Sequence, residues 1–258
     1  MAHKLSVAHL CKFFGALEAL RNIDMRVENG EFISIVGPSG CGKTTFLRIV
    51  AGLEPASSGE VAIDGRAVRG PGADRGFVFQ SDNLLPWRTV LKNAAIGPEI
   101  VGNLGAVEKQ RTLDLLKLVG LAGFENYFPR QLSGGMRQRV NLARALAVDP
   151  EILLMDEPFS ALDAQSREIM QSELLRIWEQ GRKTVLFVTH QIDEAVFLSD
   201  QIFVFARRPG RVQERVSIDL PRPRALDIKR SPEFVAYVDH IWRLIENDVR
   251  ESVLHENA

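Results

Sequence analysis

The stretch Ile33-Ser34-Ile35-Val36-Gly37-Pro38-Ser39-Gly40-Cys41-Gly42-Lys43-Thr44-Thr45 decides the fold. An apolar run of strand character enters a glycine-rich loop, and a helical pattern follows over Thr44–Val50, with Gly52 as its stop. The loop satisfies the pattern G-x-x-x-x-G-K-[ST] in full. Each part has a chemical reason. Glycines let the backbone curl until several N–H groups converge on phosphate oxygens, and the next helix adds its positive end. Lys43 supplies a full charge to the β- and γ-phosphates, and the Thr44 hydroxyl can ligate Mg²⁺. Cys41 is a spacer whose backbone, not its thiol, does the binding. By itself the loop leaves kinases, GTPases, helicases and transport ATPases open.

The whole chain sets the bounds. Its 258 residues suit one large α/β domain or a domain with a small appendage, and 45% hydrophobic and 25% charged residues are those of an ordinary globular protein. The net charge of −1 gives no global electrostatic case for nucleic acid. Cys11 and Cys41 are too far apart in the chain to suggest a metal site or a disulfide framework. No run approaches the roughly 20 apolar residues needed to cross a bilayer, and Leu5–Leu10 is too short and broken for a signal peptide. The expectation is a soluble protein that is not exported and that a partner would hold at any membrane.

Residues 1–36 read as β structure, with Ile23–Val27 and Phe32–Val36 separated by the turn signal Glu28-Asn29-Gly30. Glu60–Ile63 and Gly76–Phe79 read as further strands, the first followed by an Asp64-Gly65 turn. From Thr89 to Ala147 the texture is helical, with Leu113, Leu116 and Leu118 in one segment and Val140, Ala143 and Leu146 in another. Ile152–Met155 and Val185–Val188 are uninterrupted apolar runs, as expected of parallel strands buried on both faces. Ala164–Gln180 between them reads as a helix. From Arg207 the chain is rich in arginine (Arg207, Arg208, Arg211, Arg215, Arg222, Arg224), which reads as a solvated, locally ion-paired surface with anionic lipid as the alternative. Ser231-Pro232-Glu233 opens a final helix with Phe234, Val238, Ile241 and Ile245 on one stripe.

Two more motifs carry chemistry. Ile152-Leu153-Leu154-Met155-Asp156-Glu157 is a buried strand ending in two acids, whose carboxylates should point to different places. That suits Asp156 for Mg²⁺ and Glu157 for the attacking water. Leu132-Ser133-Gly134-Gly135 opens a helix and forms a second anion site. One nucleotide does not need two such sites from one chain, so Ser133 and Gly135 are expected to serve a nucleotide held by a second copy.

With these motifs in this order the chain resembles an ABC transporter ATPase over nearly its entire length. The resemblance implies an α/β P-loop ATPase fold with a RecA-like core, an N-terminal antiparallel β subdomain and a helical insertion. The domain would span residues 1–230, with the helical part at about 89–147, and residues 231–258 would form a helical tail. Gly37–Thr45 (Gly37, Pro38, Ser39, Gly40, Cys41, Gly42, Lys43, Thr44, Thr45) resembles the Walker A loop and Leu153–Glu157 the Walker B strand. Leu132–Gly135 resembles the signature (Ser133, Gly134, Gly135), with Met136 where the best-known form has Gln. Ser160-Ala161-Leu162-Asp163 resembles the D-loop. By the same resemblance Gln80 contacts Mg²⁺ and the water, His190 the γ-phosphate and the water, and Phe14 the adenine, with Phe13 as its possible substitute. Asp163 joins the nucleotide-binding set.

The implied cofactors are ATP and Mg²⁺. The implied partners are a second copy in a head-to-tail ATP sandwich, transmembrane permease subunits docking near Leu84–Val90 and, indirectly, a solute-binding protein; no nucleic acid is expected. Trp87 there could equally be packed inside or exposed. Ser81–Asn93, Arg207–Val212 and the short tail look most like the nitrate, sulfonate and taurine importers, which work at the cytoplasmic face of the inner membrane. The alternatives are another solute, such as a pyrimidine or thiamine precursor, or a soluble ABC ATPase outside transport.

Overall fold

A computed structural model describes residues 3–103, 105–207 and 209–256, and the side chains up to residue 250. Arg208, counted in the arginine-rich stretch above, lies outside the described residues. The chain forms two compact units: residues 1–72 with 182–258, and residues 73–181.

The first unit opens with β1 (Leu5–Phe14) and β2 (Leu17–Val27), an antiparallel pair. There follow β3 (Phe32–Val36), α1 (Lys43–Val50), β4 (Ser58–Ile63) and β5 (Arg66–Ala67). The order β2-β1-β4-β5 makes one antiparallel sheet. Asp64 and Gly65, with φ of 48° and 73°, join β4 to β5 in the left-handed geometry that a two-residue hairpin requires. The Glu28-Asn29-Gly30 turn behaves differently. It joins β2 to a strand of another sheet, and the Gly30 N–H donates to Thr184 Oγ1 at 2.9 Å.

The second unit contains β6 (Arg75–Val78), α2 (Val90–Ala94), α3 (Ile96–Ile100), α4 (Ala106–Leu118), α5 (Gly134–Leu146), β7 (Ile152–Asp156) and α6 (Ala164–Gly181). β6 and β7 run parallel, Val78 opposite Met155. Among the described residues, the helical texture between residues 89 and 147 resolves into four α-helices and a 3-10 turn at Pro129–Gln131, and Leu116 and Val140 are fully buried.

The chain then returns to the first unit with β8 (Thr184–Val188), α7 (Ile192–Leu198), β9 (Gln201–Ala206), β10 (Arg211–Ser217) and α8 (Pro232–Glu256). There β3 lies between β8 and β9, parallel to both, and β10 closes the edge antiparallel to β9. Every residue of β3 and β8 is buried, which is why Val185–Val188 reads as an uninterrupted apolar run; in β3 only Ser34 interrupts one. Of the predicted stripe on α8, Phe234, Ile241 and Ile245 are buried and Val238 is half-buried. Among the described residues no helix is long and apolar enough to cross a membrane.

The arginine-rich stretch is not simply a solvated surface. Arg224 is 6% exposed, and its guanidinium donates to the carbonyls of Val196, Phe197, Ser199, Ile218 and Leu220. It caps the last turn of α7, whose carbonyls have no helical partner. Arg222 reaches the Leu198 carbonyl and Asp200, and Lys229 lies over the Phe197 ring at 5.1 Å. A charge count sees cations; the fold uses several of them as fixed hydrogen-bond donors. Arg224→Leu is expected to cost about 3 kcal/mol by orphaning these carbonyls. A urea unfolding midpoint equal to that of the unsubstituted chain would contradict this.

Candidate functional site

Within the first unit the phosphate-loop motif leaves the end of β3. Gly37, Gly40 and Gly42 have φ of 156°, 73° and 94°. The last two lie firmly in the left-handed region that glycine tolerates at no steric cost. At Gly37 space matters as well, because a Cβ there would stand 2.4 Å from the Phe205 carbonyl oxygen. Lys43, 5% exposed, donates from Nζ to the carbonyls of Gly37 (2.8 Å) and Pro38 (3.0 Å). The loop thus holds its cation pointing inward. Thr44 and Thr45 follow in the first turn of α1, which has no side-chain cap hydrogen bond and begins directly from the loop. Burial pushes the Cys41 thiol above its ordinary value, against the opposing pull of Lys43.

His190 lies in the same unit, two residues beyond β8. Ile35 is opposite Val188, and the Thr189 N–H donates to the Ile35 carbonyl at 3.2 Å. The loop at residue 37 and His190 therefore emerge from the same end of adjacent parallel strands, where open α/β sheets present ligand groups. The turn that carries His190 is held by a buried pair absent from the motif reading. Thr189 Oγ1 donates to the Glu194 carboxylate and accepts from the Gln191 N–H at 3.0 Å. Phe14, at the end of β1, is 47% exposed with Lys12 Nζ 4.7 Å above its ring; Phe13 is 45% exposed.

The second unit gathers the remaining residues. Gln80 and the acids Asp156 and Glu157 emerge from the same end of β6 and β7. Gln80 Nε2 donates to Glu157 Oε2 at 3.3 Å. Asp156 is 4% exposed at the end of β7. Glu157 has φ of 44° with Pro158 after it, a left-handed conformation costing about 1–3 kcal/mol and typical of functional positions.

Ser133 caps α5, its Oγ accepting from the Met136 N–H at 3.3 Å. Only the backbone of Met136 takes part, so the departure from the best-known signature leaves this cap intact. A Cβ on Gly134 or Gly135 would meet nothing closer than 3.5 Å within the chain, the nearest atom being Leu162 Cδ2. Asp163 accepts from the Ser166 N–H at 2.9 Å at the start of α6, and this bond holds its carboxyl below the ordinary range.

A network that motif reading missed joins two of these pieces. Asn141 Nδ2 donates to the Phe79 carbonyl, Arg144 to the carbonyls of Asp82 and Asn83, and Arg137 Nε to Asp82 Oδ2. Thus α5, which begins at Ser133, also grips the segment that carries Gln80. The helical spacing of Arg137, Asn141 and Arg144 was a signal that could have shown one polar face. Next along, Asn93 is fully buried and bonds the backbone of Leu85, Arg88 and Thr89. The segment it staples leaves Trp87 71% exposed, which decides the question the sequence left even.

The fold and these groups define a nucleotide-phosphate-binding α/β protein. Residues 20–160 match the profile of the ABC transporter family. The chain is 46% identical over 253 residues to the taurine import ATP-binding protein TauB of Rhizobium johnstonii, covering 94% of this chain and 97% of that one. It is 46% identical over 237 residues to the nitrate import ATP-binding protein NrtD of Synechocystis, covering 90% and 89%. A solved dimeric ATP-binding cassette, MJ0796, in a post-hydrolysis state with ADP and Pi superposes with a TM-score of 0.72. It is 34% identical, covering 84% of this chain and all of that one. The chain belongs to the ABC transporter family, as one of its ATPase cassettes.

Proposed function

We propose that this chain is the ATP-hydrolysing subunit of an importer for a small anion such as taurine, another aliphatic sulfonate or nitrate. The observation that carries the solute class is the similarity to the taurine and nitrate import subunits over nine-tenths of the chain. Lys43 and the N–H groups of the loop bind the ATP phosphates, Phe14 stacks on the adenine, Glu157 is the general base, and Gln80 and His190 hold the attacking water. Asp163 adds to the nucleotide contacts from the start of α6.

The metal donors fit Mg²⁺. Thr44 hydroxyl, Asp156 carboxylate and Gln80 amide all offer oxygen, and Mg²⁺ characteristically takes oxygen ligands in which one or two carboxylates and retained waters join the substrate phosphates. Gln80 spends its N–H on Glu157, leaving its amide oxygen for the metal. When bound, Mg²⁺ neutralises charge that develops on the phosphates.

Ser133 and Gly135 serve the nucleotide of a second copy in a head-to-tail dimer. The support is that this chain's own packing leaves room for a side chain at Gly134 and Gly135. Gly135→Ala is accordingly expected to fold and melt like the unsubstituted chain, bind ATP through its own loop, and lose ATP-dependent dimerisation in light scattering. Retained dimerisation would contradict the shared site.

The permease docks on the segment around exposed Trp87, holding the subunit at the cytoplasmic face of the membrane; a solute-binding protein delivers the anion outside. The test is uptake of labelled taurine, an alkanesulfonate and nitrate after deletion of the gene. Unchanged uptake of all three would overturn the solute class while leaving the ATPase untouched.

A further inference from the structure

Gly210 stands immediately before β10, inside the stretch Arg207–Val212, and no role is given to it above. A Cβ on it would lie 2.0 Å from the carbonyl oxygen of Cys41 and 3.1 Å from that of Ala19. Its backbone is not in the left-handed region, so close approach, not conformation, demands glycine here. The approach is anchored. The Gly210 N–H donates to the Ala19 carbonyl at 3.0 Å, and its own carbonyl accepts from the Arg21 N–H at 2.9 Å. The same end of β2 backs the loop at its next glycine, where a Cβ on Gly42 would stand 2.6 Å from Leu20 Cδ2. On the side of β9, the Arg207 N–H donates to Asp248 Oδ2 of α8 at 2.7 Å.

The contact matters because a peptide is planar. The Cys41 carbonyl and the Gly42 N–H belong to one rigid unit, so pressure on the oxygen tips the N–H. That N–H belongs to the loop that takes the phosphates. We propose that Gly210 is a positioning residue for the phosphate loop, setting the tilt of the Cys41–Gly42 peptide, and that Asp248 of the C-terminal helix holds β9 and β10 in the place this requires. The inference rests on the reading of residues 37–45 as the ATP phosphate site. It gives α8 a part in nucleotide affinity that no motif assigns.

Calorimetric titration of the full chain with Mg-ATP tests it, alongside ATPase kinetics. Gly210→Ala should weaken ATP binding about ten- to hundred-fold, the loss of one charge-assisted bond. Its KM should rise in step while kcat at saturating ATP stays within about two-fold, because ground and transition states lose the same contact. A merely structural defect would lower the melting temperature without that split. Asp248→Ala should weaken binding about three-fold, and Asp248→Asn, which keeps an oxygen acceptor, should restore it. Lys43→Ala is the control for the loop itself. If Lys43→Ala abolishes binding while Gly210→Ala binds as tightly as the unsubstituted chain, the inference is overturned and the loop reading stands. If the unsubstituted chain does not bind Mg-ATP, or Lys43→Ala binds equally well, the loop reading falls and takes the inference with it. Should Gly210→Ala fail to fold, the Asp248 pair decides: equal affinity of Asp248→Ala, Asp248→Asn and the unsubstituted chain would overturn the proposal.

Discussion

Glu157→Gln is expected to lower ATP turnover by about 10²- to 10⁴-fold, the range a positioned general base contributes, while ATP binding survives. The substitution keeps the shape of the side chain and removes the carboxylate proposed to accept the proton of the attacking water. The surroundings support the assignment: Glu157 holds a left-handed backbone at the end of β7, and its carboxylate accepts from Gln80. Strain of this kind persists only where the neighbouring structure enforces it. With hydrolysis blocked and binding intact, ATP should hold two copies together, so the variant should run as a dimer in size-exclusion chromatography with ATP. Phosphate release at the rate of the unsubstituted chain would remove Glu157 from the role of base.

Lys43→Ala is expected to weaken ATP binding by about 10²-fold or more, the loss of a charge-assisted contact to a multiply charged phosphate. Lys43 is buried, and its ammonium is directed inward by the carbonyls of Gly37 and Pro38. Turning from those carbonyls to a phosphate exchanges neutral acceptors for anionic ones, which is the source of the gain. Lys43→Arg should not rescue it, since a planar fork does not replace a compact point charge in so tight a loop. Equilibrium dialysis with labelled ATP measures the loss, and circular dichroism shows that the fold is retained. Affinity equal to that of the unsubstituted chain would remove Lys43 from the phosphate site.

The site was legible wherever its chemistry depends on neighbours in sequence. The phosphate loop, the acids ending β7 and the Ser133 cap are each built from consecutive residues on one strand–loop or loop–helix junction. Backbone sterics and capping rules act over that range. β7 and β8 were legible for a related reason: burial on both faces leaves the unbroken apolar runs Ile152–Met155 and Val185–Val188. The stretch from Arg207 was not. β10 alternates exposed and half-buried positions on a sheet edge and includes Arg211 and Arg215, so composition hides the strand that register with β9 makes plain.

By itself, then, the amino-acid sequence determined the phosphate loop, the order of the motifs and the parallel strands that carry them, because these follow from local conformational limits and hydrophobic period. Tertiary structure alone decided that Gln80 meets Glu157, that α5 grips the Gln80 segment, that Arg224 is a buried cap, and that Gly210 rests on the loop at Cys41. These contacts join residues from 25 to 169 positions apart, shown for Arg224 with Ser199 and for Cys41 with Gly210. No periodicity or spacing rule spans such separations; only the packing of the strands brings those residues together.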